Sequence, residues 1–156
     1  MKLIPLTQGL FSKVDDADYD WLNQWKWYAV RDRRSVYAKR ESMGKGILMH
    51  RVILETPEGM QGDHINGNGL DNQRGNLRNC TPTENRRNRI KSIKNGVKYK
   101  GVHPHYGKFR ALIRVDGKML HLGNFSTQDE AALAYNNGAI KYYGEFANLN
   151  KFKDSP

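Results

Sequence analysis

Asp63 and His64 are adjacent in the chain and stand beside a glycine-asparagine loop, Asn66-Gly67-Asn68-Gly69, with Asn76 and Asn85 following. A carboxylate and an amide carbonyl are hard oxygen donors, suited to Mg with places left for water and phosphate. A neutral imidazole near such an ion can take a proton from water. Together these are the minimum for hydrolysing a phosphodiester: a Lewis acid on the phosphate and a base on the water. On a strand, Asp63 and His64 point to opposite faces and cannot do the same job. From the residues alone a plainer reading carries more weight, with His64 a buried structural histidine and the asparagines turn formers.

A second set of candidates is cationic. In Lys108-Phe109-Arg110-Ala111-Leu112-Ile113-Arg114-Val115, period two puts Lys108, Arg110, Leu112 and Arg114 on one side of a sheet and the apolar residues on the other. From Arg86 to Lys100 there are seven Lys/Arg and no acid, a run read as a linker at 86–98 that tracks phosphates and is for the most part disordered without DNA.

The elements that must position these residues are legible from turns and caps. Around the first set the order is strand, loop, strand, helix: Asn76 to Cys80 is a short strand, and Thr81-Pro82-Thr83-Glu84 has the form of a capping box. Upstream, Asp15, Asp16, Asp18 and Asp20 suit a short helix with acids in its first turn. Lys26 to Val30 and Ser35 to Ala38 read as a hairpin. Trp21, Trp25 and Trp27 are expected in the core. Downstream, Asp116-Gly117 marks a tight hairpin, and Thr127 to Glu130 opens a helix with Ala131, Ala134, Tyr135, Gly138 and Tyr142 along one stripe, capped by Gly144.

Composition bounds the partner. The 156 residues carry 26 Lys/Arg against 16 Asp/Glu, a net charge of +10, which points to a polyanion and most commonly nucleic acid. Hydrophobic residues make up 38%, so the core is modest. There is no membrane-length apolar run, no signal-peptide stretch and a single cysteine, Cys80. An intracellular, non-membrane protein is expected.

The stretch His50-Arg51, Asp63-His64-Ile65-Asn66-Gly67-Asn68-Gly69-Leu70-Asp71-Asn72, Asn76-Leu77-Arg78 and Glu84-Asn85 resembles the HNH homing endonucleases of phages and introns, in their His-Asn-Asn subgroup. The resemblance implies a ββα-metal module with Asp63 as metal ligand, His64 as general base, Asn76 holding the base loop and Asn85 as the second metal ligand. It implies one divalent ion per site, and an Asn ligand favours Mg or Mn over zinc. Asn72 and Asn88 are neighbouring alternatives for the asparagine positions. His50 reads as structural, and Arg51 as either structural or a phosphate clamp.

Tyr99-Lys100-Gly101-Val102, Gly107-Lys108-Phe109, Ile113-Arg114, Leu122-Gly123-Asn124-Phe125, Glu130 to Tyr135 and Ala147 to Asn150 resemble the AP-two domain of plant ethylene-response factors. That resemblance implies a three-stranded sheet on one helix, with the sheet entering the DNA major groove. Its contact positions fall on Lys100, His103, His105, Arg110, Leu112, Arg114 and His121. Histidines replace arginines or tryptophan at several of them, and Leu112 stands where an acid is usual, so the plant target does not carry over. Leu112 is placed to touch a thymine methyl.

The reading is an α+β protein: a nuclease region at 1–90 with its motif core at 50–89, the basic linker at 86–98 and an AP-two-type domain at 99–150. DNA contacts are expected from Arg51, Arg86, Arg87, Arg89, Lys100, His103, His105, Lys108, Arg110, Leu112, Arg114 and His121. The expected activity is Mg- or Mn-dependent cleavage of double-stranded DNA, nicking as a monomer, with no small-molecule cofactor, in a bacterial cytoplasm and encoded by a phage or intron. The alternatives are a DNA-binding regulator with a decayed nuclease module and an RNA-binding module. The second fits less well, because apart from Tyr106 the sheet face is basic rather than aromatic.

Overall fold

The computed structural model describes residues 1–32, 35–88 and 96–152. It is a mixed α+β protein of several small antiparallel sheets and few helices, in two units, Met1–Asn85 and Arg86–Pro156. Among the described residues no helix is long and apolar enough to cross a membrane.

The first unit opens on a hairpin of β1 (Lys2–Pro5) and β2 (Phe11–Val14). Alternation turns Ile4, Ser12 and Val14 inward, all almost fully buried. Helix α1 (Asp16–Leu22) follows. Then comes a three-stranded sheet of β3 (Tyr28–Arg31), β4 (Val36–Ser42) and β5 (Lys45–Leu48), with β4 in the middle. A short helix, α2 (Met49–Ile53), leads to a second hairpin of β6 (Gln61–His64) and β7 (Leu77–Cys80), and then to α3 (Pro82–Arg87). The expected capping box forms, with Glu84 accepting from the Thr81 amide at 2.7 Å and the Glu84 amide donating to Thr81 Oγ1 at 3.3 Å. Ile4, Val14, Leu22, Trp27, Ala38, Met49, Ile53 and Leu77 form one core, so the N-terminal hairpin, the central sheet and β7 bury their apolar sides against each other.

Trp25 departs from the core expectation: it is 38% exposed, with the Arg40 guanidinium 4.5 Å over its ring. An indole covered by a cation needs no further burial. The acids of α1 do more than face its dipole. Asp18 is 2% exposed and takes a fork from Arg74, Nη2 to Oδ1 at 2.7 Å and Nε to Oδ2 at 2.8 Å, with Trp21 Nε1 as a third donor. Asp15 accepts from the Arg74 amide and from Gln73.

In the second unit, β8 (Val102–His105), β9 (Lys108–Val115) and β10 (Lys118–Phe125) form an antiparallel sheet with β9 central. Asp116 and Gly117 both take positive φ, as a tight hairpin between twisted strands requires. Helix α4 (Gln128–Tyr143) has its capping box at Thr127 and Glu130 and its C-cap at Gly144. Its buried set is Ala131, Ala132, Tyr135, Asn136, Gly138, Ala139 and Tyr143. This shifts the expected stripe: Tyr142 is 37% exposed, while Ala132, Ala139 and Tyr143 face the sheet. Small residues bring the helix close, and a Cβ at Gly138 would lie 2.8 Å from Leu122 Cδ1. Tyr143 Oη donates to the Arg114 carbonyl at 2.6 Å.

The first unit yields two expectations for stability. Arg74→Met leaves the buried Asp18 carboxylate without its fork, and denaturant melts of the full chain should show a loss of about 2–3 kcal/mol. A change within about 0.5 kcal/mol, the scale of an ordinary surface substitution, would refute that. His50 is 5% exposed, and burial, with His64 and Arg51 nearby, pushes its imidazole down from 6.5 to about 3. Between those values the unfolded chain binds the extra proton. Stability is therefore complete above about 6.5 and falls with pH below it, by at most about 1.4 kcal/mol per pH unit. Melts at pH 7, 6 and 5 should show this slope, and His50→Phe should flatten it.

Candidate active site

Pairing β6 with β7 sets Gln61 opposite Cys80, Gly62 opposite Asn79, Asp63 opposite Arg78 and His64 opposite Leu77. Alternation then separates the two adjacent candidates. Asp63 shares a face with Gln61 and with its cross-strand partner Arg78, whose Nη2 and Nε donate to Asp63 Oδ2 at 2.9 and 3.0 Å. Both partners of this ion pair are largely buried. Helix α3 reaches the same face: Asn85 Nδ2 donates to Gln61 Oε1 at 2.7 Å. That donation commits the nitrogen of Asn85 to Gln61 and leaves its amide oxygen as an acceptor.

His64, at the end of β6, sits 5% exposed among aromatic rings. Its centroid is 4.8 Å from His50 in an edge contact and 5.8 Å from Tyr37. A Cβ at Gly62 would lie 2.5 Å from His50 Cδ2, so the His50 ring occupies the space that any side chain at position 62 would need. His64 Nε2 lies 3.1 Å from Asn72 Oδ1. Burial pushes the His64 imidazole below its usual value, with the Asn72 hydrogen bond and the charges of Asp63 and Asp71 acting the other way, so the ring is neutral near pH 7.

Between the two strands Asn76 closes the loop. Its Oδ1 accepts from the Asn66 amide at 3.0 Å, and its Nδ2 donates to the Asp71 carbonyl at 2.8 Å and to Asn66 Oδ1 at 3.1 Å. Inside the loop Asn66 and Asn68 accept from the Asn68 and Leu70 amides. The structure thus divides the asparagines: Asn76 braces the loop, Asn72 touches the imidazole and Asn85 lies on the Asp63 side. Sequence reasoning gives no role to Arg78 or Tyr37, which the structure brings against Asp63 and His64, nor to Ser12, which it brings against Asn72. Asn72 alone carries a signal, its nearness to the asparagine pattern.

Among the described residues no three His, Cys, Asp or Glu side chains group so as to hold a metal ion. Asp63 and Asn85 offer two hard oxygen donors, one of them on a carboxylate already held by arginine. That set fits Mg or Mn, which keep several places for water and phosphate, and it does not fit a closed zinc site.

The cationic candidates fall mostly on one surface. Register sets His103 opposite Arg110, Arg110 opposite Asn124, His105 opposite Lys108, Leu112 opposite His121 and Arg114 opposite Met119, all on the sheet face away from α4. Arg110 Nη2 donates to the His105 ring, 2.7 Å from Nε2. Burial, with Arg110 and His121 nearby, pushes that imidazole down and suits it to accept. Lys100 does not join this face. Its ammonium donates to the Arg87 carbonyl, and burial pushes it down to about 8. Arg87 lies over the Tyr143 ring at 4.7 Å. Arg86 and Arg51 are exposed, and Arg89, with linker positions 89–95, lies outside the described residues.

No family model matches the chain. It is 30% identical over 151 residues to a protein of Acanthamoeba polyphaga mimivirus named as an uncharacterized HNH endonuclease, across 92% of this chain and 76% of that protein. Shorter similarities reach plant proteins. One is 51% over 57 residues to an AP2-like ethylene-responsive transcription factor of Arabidopsis thaliana, 34% of this chain and 16% of that one. Another is 54% over 56 residues to an AP2-like ethylene-responsive transcription factor of Oryza sativa subsp. japonica, 33% and 9%. Similarity to the viral protein runs through nearly the whole chain, and the chain belongs to the HNH endonuclease family.

Proposed function

We propose that this chain is a metal-dependent endonuclease that hydrolyses phosphodiester bonds in duplex DNA, with the chemistry in Met1–Asn85 and DNA binding on the solvent face of β8–β10. The observation that carries the reading is the division of Asp63 and His64 between opposite faces of one strand, each buried with its own partners. Asp63 and Asn85 would hold the ion. Bound there, a divalent cation supplies Lewis-acid polarisation of a phosphoryl oxygen. His64, neutral near pH 7, takes the proton of the attacking water as its oxygen adds to phosphorus and the ester oxygen leaves. Arg78 holds the Asp63 carboxylate, and Asn76 keeps the loop after His64 in shape. One acid–base set per chain makes the monomer a nicking enzyme. The similarity to plant transcription factors and the face of Arg110, Arg114, Lys108 and three histidines support DNA binding by the second unit.

Supercoiled plasmid should be nicked with Mg or Mn and left intact in excess EDTA. Asp63→Ala and His64→Ala should each lower the rate at least about a hundredfold, with affinity close to parental. Cutting that persists in EDTA would overturn the metal site, and tight binding with no cutting under any divalent ion would favour a non-catalytic regulator. In the full chain, Arg110→Ala with Arg114→Ala should weaken duplex binding and reduce the salt dependence, by about 0.9 in log–log slope for each phosphate no longer neutralised. Unchanged affinity and slope would remove the sheet face from DNA binding.

A further inference from the structure

The imidazole of His64 ends a buried chain of hydrogen bonds whose direction is fixed at its far end. Ser12, on β2, is fully buried, and its hydroxyl lies 3.4 Å from the Leu70 carbonyl and 3.2 Å from Met49 Sδ. Both of those groups only accept, so the single Ser12 hydroxyl proton goes to one or the other and its oxygen must accept from the remaining neighbour. That neighbour is the side-chain amide of Asn72, also fully buried, at 2.7 Å. The amide atom facing Ser12 is therefore the NH2. The Gly69 carbonyl, 3.5 Å from the same nitrogen, imposes the same orientation. The opposite atom, Oδ1, then faces His64 Nε2 at 3.1 Å and can only accept.

We infer that Asn72, oriented by Ser12, is a positioning residue that holds His64 in the Nε2–H tautomer and makes Nδ1 the ring's basic atom. Every link is directional: His64 Nε2–H to Asn72, Asn72 Nδ2–H to Ser12, Ser12 O–H to the Leu70 carbonyl or Met49. The backbone keeps the relay in register. The Lys13 amide donates to the Leu70 carbonyl and the Asn72 amide donates to the Lys13 carbonyl, both at 2.8 Å, so β2 and the segment after the loop pair on either side of the two side chains. Asp15 and Asp18 fasten the next residues, Gln73 and Arg74. The N-terminal segment thus sets the protonation pattern of a ring far from it in sequence. A neutral imidazole in water divides its proton between two nitrogens, and an acceptor fixed at Nε2 selects the form whose lone pair is on Nδ1.

The inference rests on His64 being the general base, and its test separates the two claims. Ring 15N shifts of the metal-free full chain, measured at one pH near neutrality, report which nitrogen carries the proton; His64→Gln identifies the signal among the five histidines. The parent should show Nε2–H. Asn72→Leu, which keeps the volume and removes the acceptor, should give a mixture of tautomers and lower kcat for nicking about tenfold to hundredfold with KM unchanged. Asn72→Asp keeps an acceptor at the same place and should retain both the Nε2–H signature and most of kcat. Ser12→Ala should fall between them, because Gly69 still orients the amide. A purely structural role predicts the reverse order, with the buried charge of Asn72→Asp the more damaging. An unchanged tautomer in folded Asn72→Leu overturns the inference whatever happens to nicking. Should Asn72→Leu fail to fold, an Nδ1–H form in the parent or in Ser12→Ala overturns it equally. A changed tautomer in a chain whose parent does not cut DNA upholds the relay and removes the nuclease reading instead.

Discussion

A β-strand turns successive side chains to opposite faces, and the two ionisable residues of the candidate site are successive. Asp63 and His64 therefore take their hydrogen bonds from different partners, although the Asp63 charge still acts on the imidazole. Each is buried, so each needs its own set of polar partners, and those partners must come from different parts of the chain. Arg78 and the Gln61–Asn85 contact serve one side, while Asn72, His50 and Tyr37 serve the other. Much of the rest of the first unit is explained by supplying these two shells. The central sheet brings Tyr37, α2 brings His50, and the N-terminal hairpin brings Ser12 beneath Asn72.

The burial of those shells constrains the core. β6 and β7 have four residues each, too few to form a stable hairpin alone. Leu77 is the residue by which they join the cluster of Ile4, Val14, Leu22 and Met49. The Arg74 fork onto Asp18 adds a polar tie between α1 and the segment just before β7. Apolar packing and the charged pair hold opposite ends of the same segment, so its position is set from two sides.

Much of this is legible in the sequence where the signals are local. The Thr81 and Thr127 capping boxes, the Asp116-Gly117 turn and the alternation of Lys108 to Val115 depend on neighbours within a few residues, and each forms as expected. The α4 stripe is displaced because a helix lying on a sheet buries a broad face, which brings in Ala132, Ala139 and Tyr143. Trp25 and Lys100 depart from expectation for one reason: what decides their placement is a partner distant in sequence, Arg40 for one and the Arg87 carbonyl for the other. The same holds at the candidate site. Asp63 and His64 can be picked out by type and spacing, whereas Arg78, Asn72 and Ser12 depend on strand register and on a hairpin fifty-eight to sixty residues away.

The close approach of His50 to Gly62 has a consequence for how such a sequence can drift. The residue before Asp63 lacks a side chain because a ring from α2 fills the space, and that ring in turn flanks His64. Even an alanine there would force the ring aside and disturb the imidazole beyond it. Position 62 is thus closed to gradual change. A side chain there needs a smaller residue at position 50 or a displaced ring.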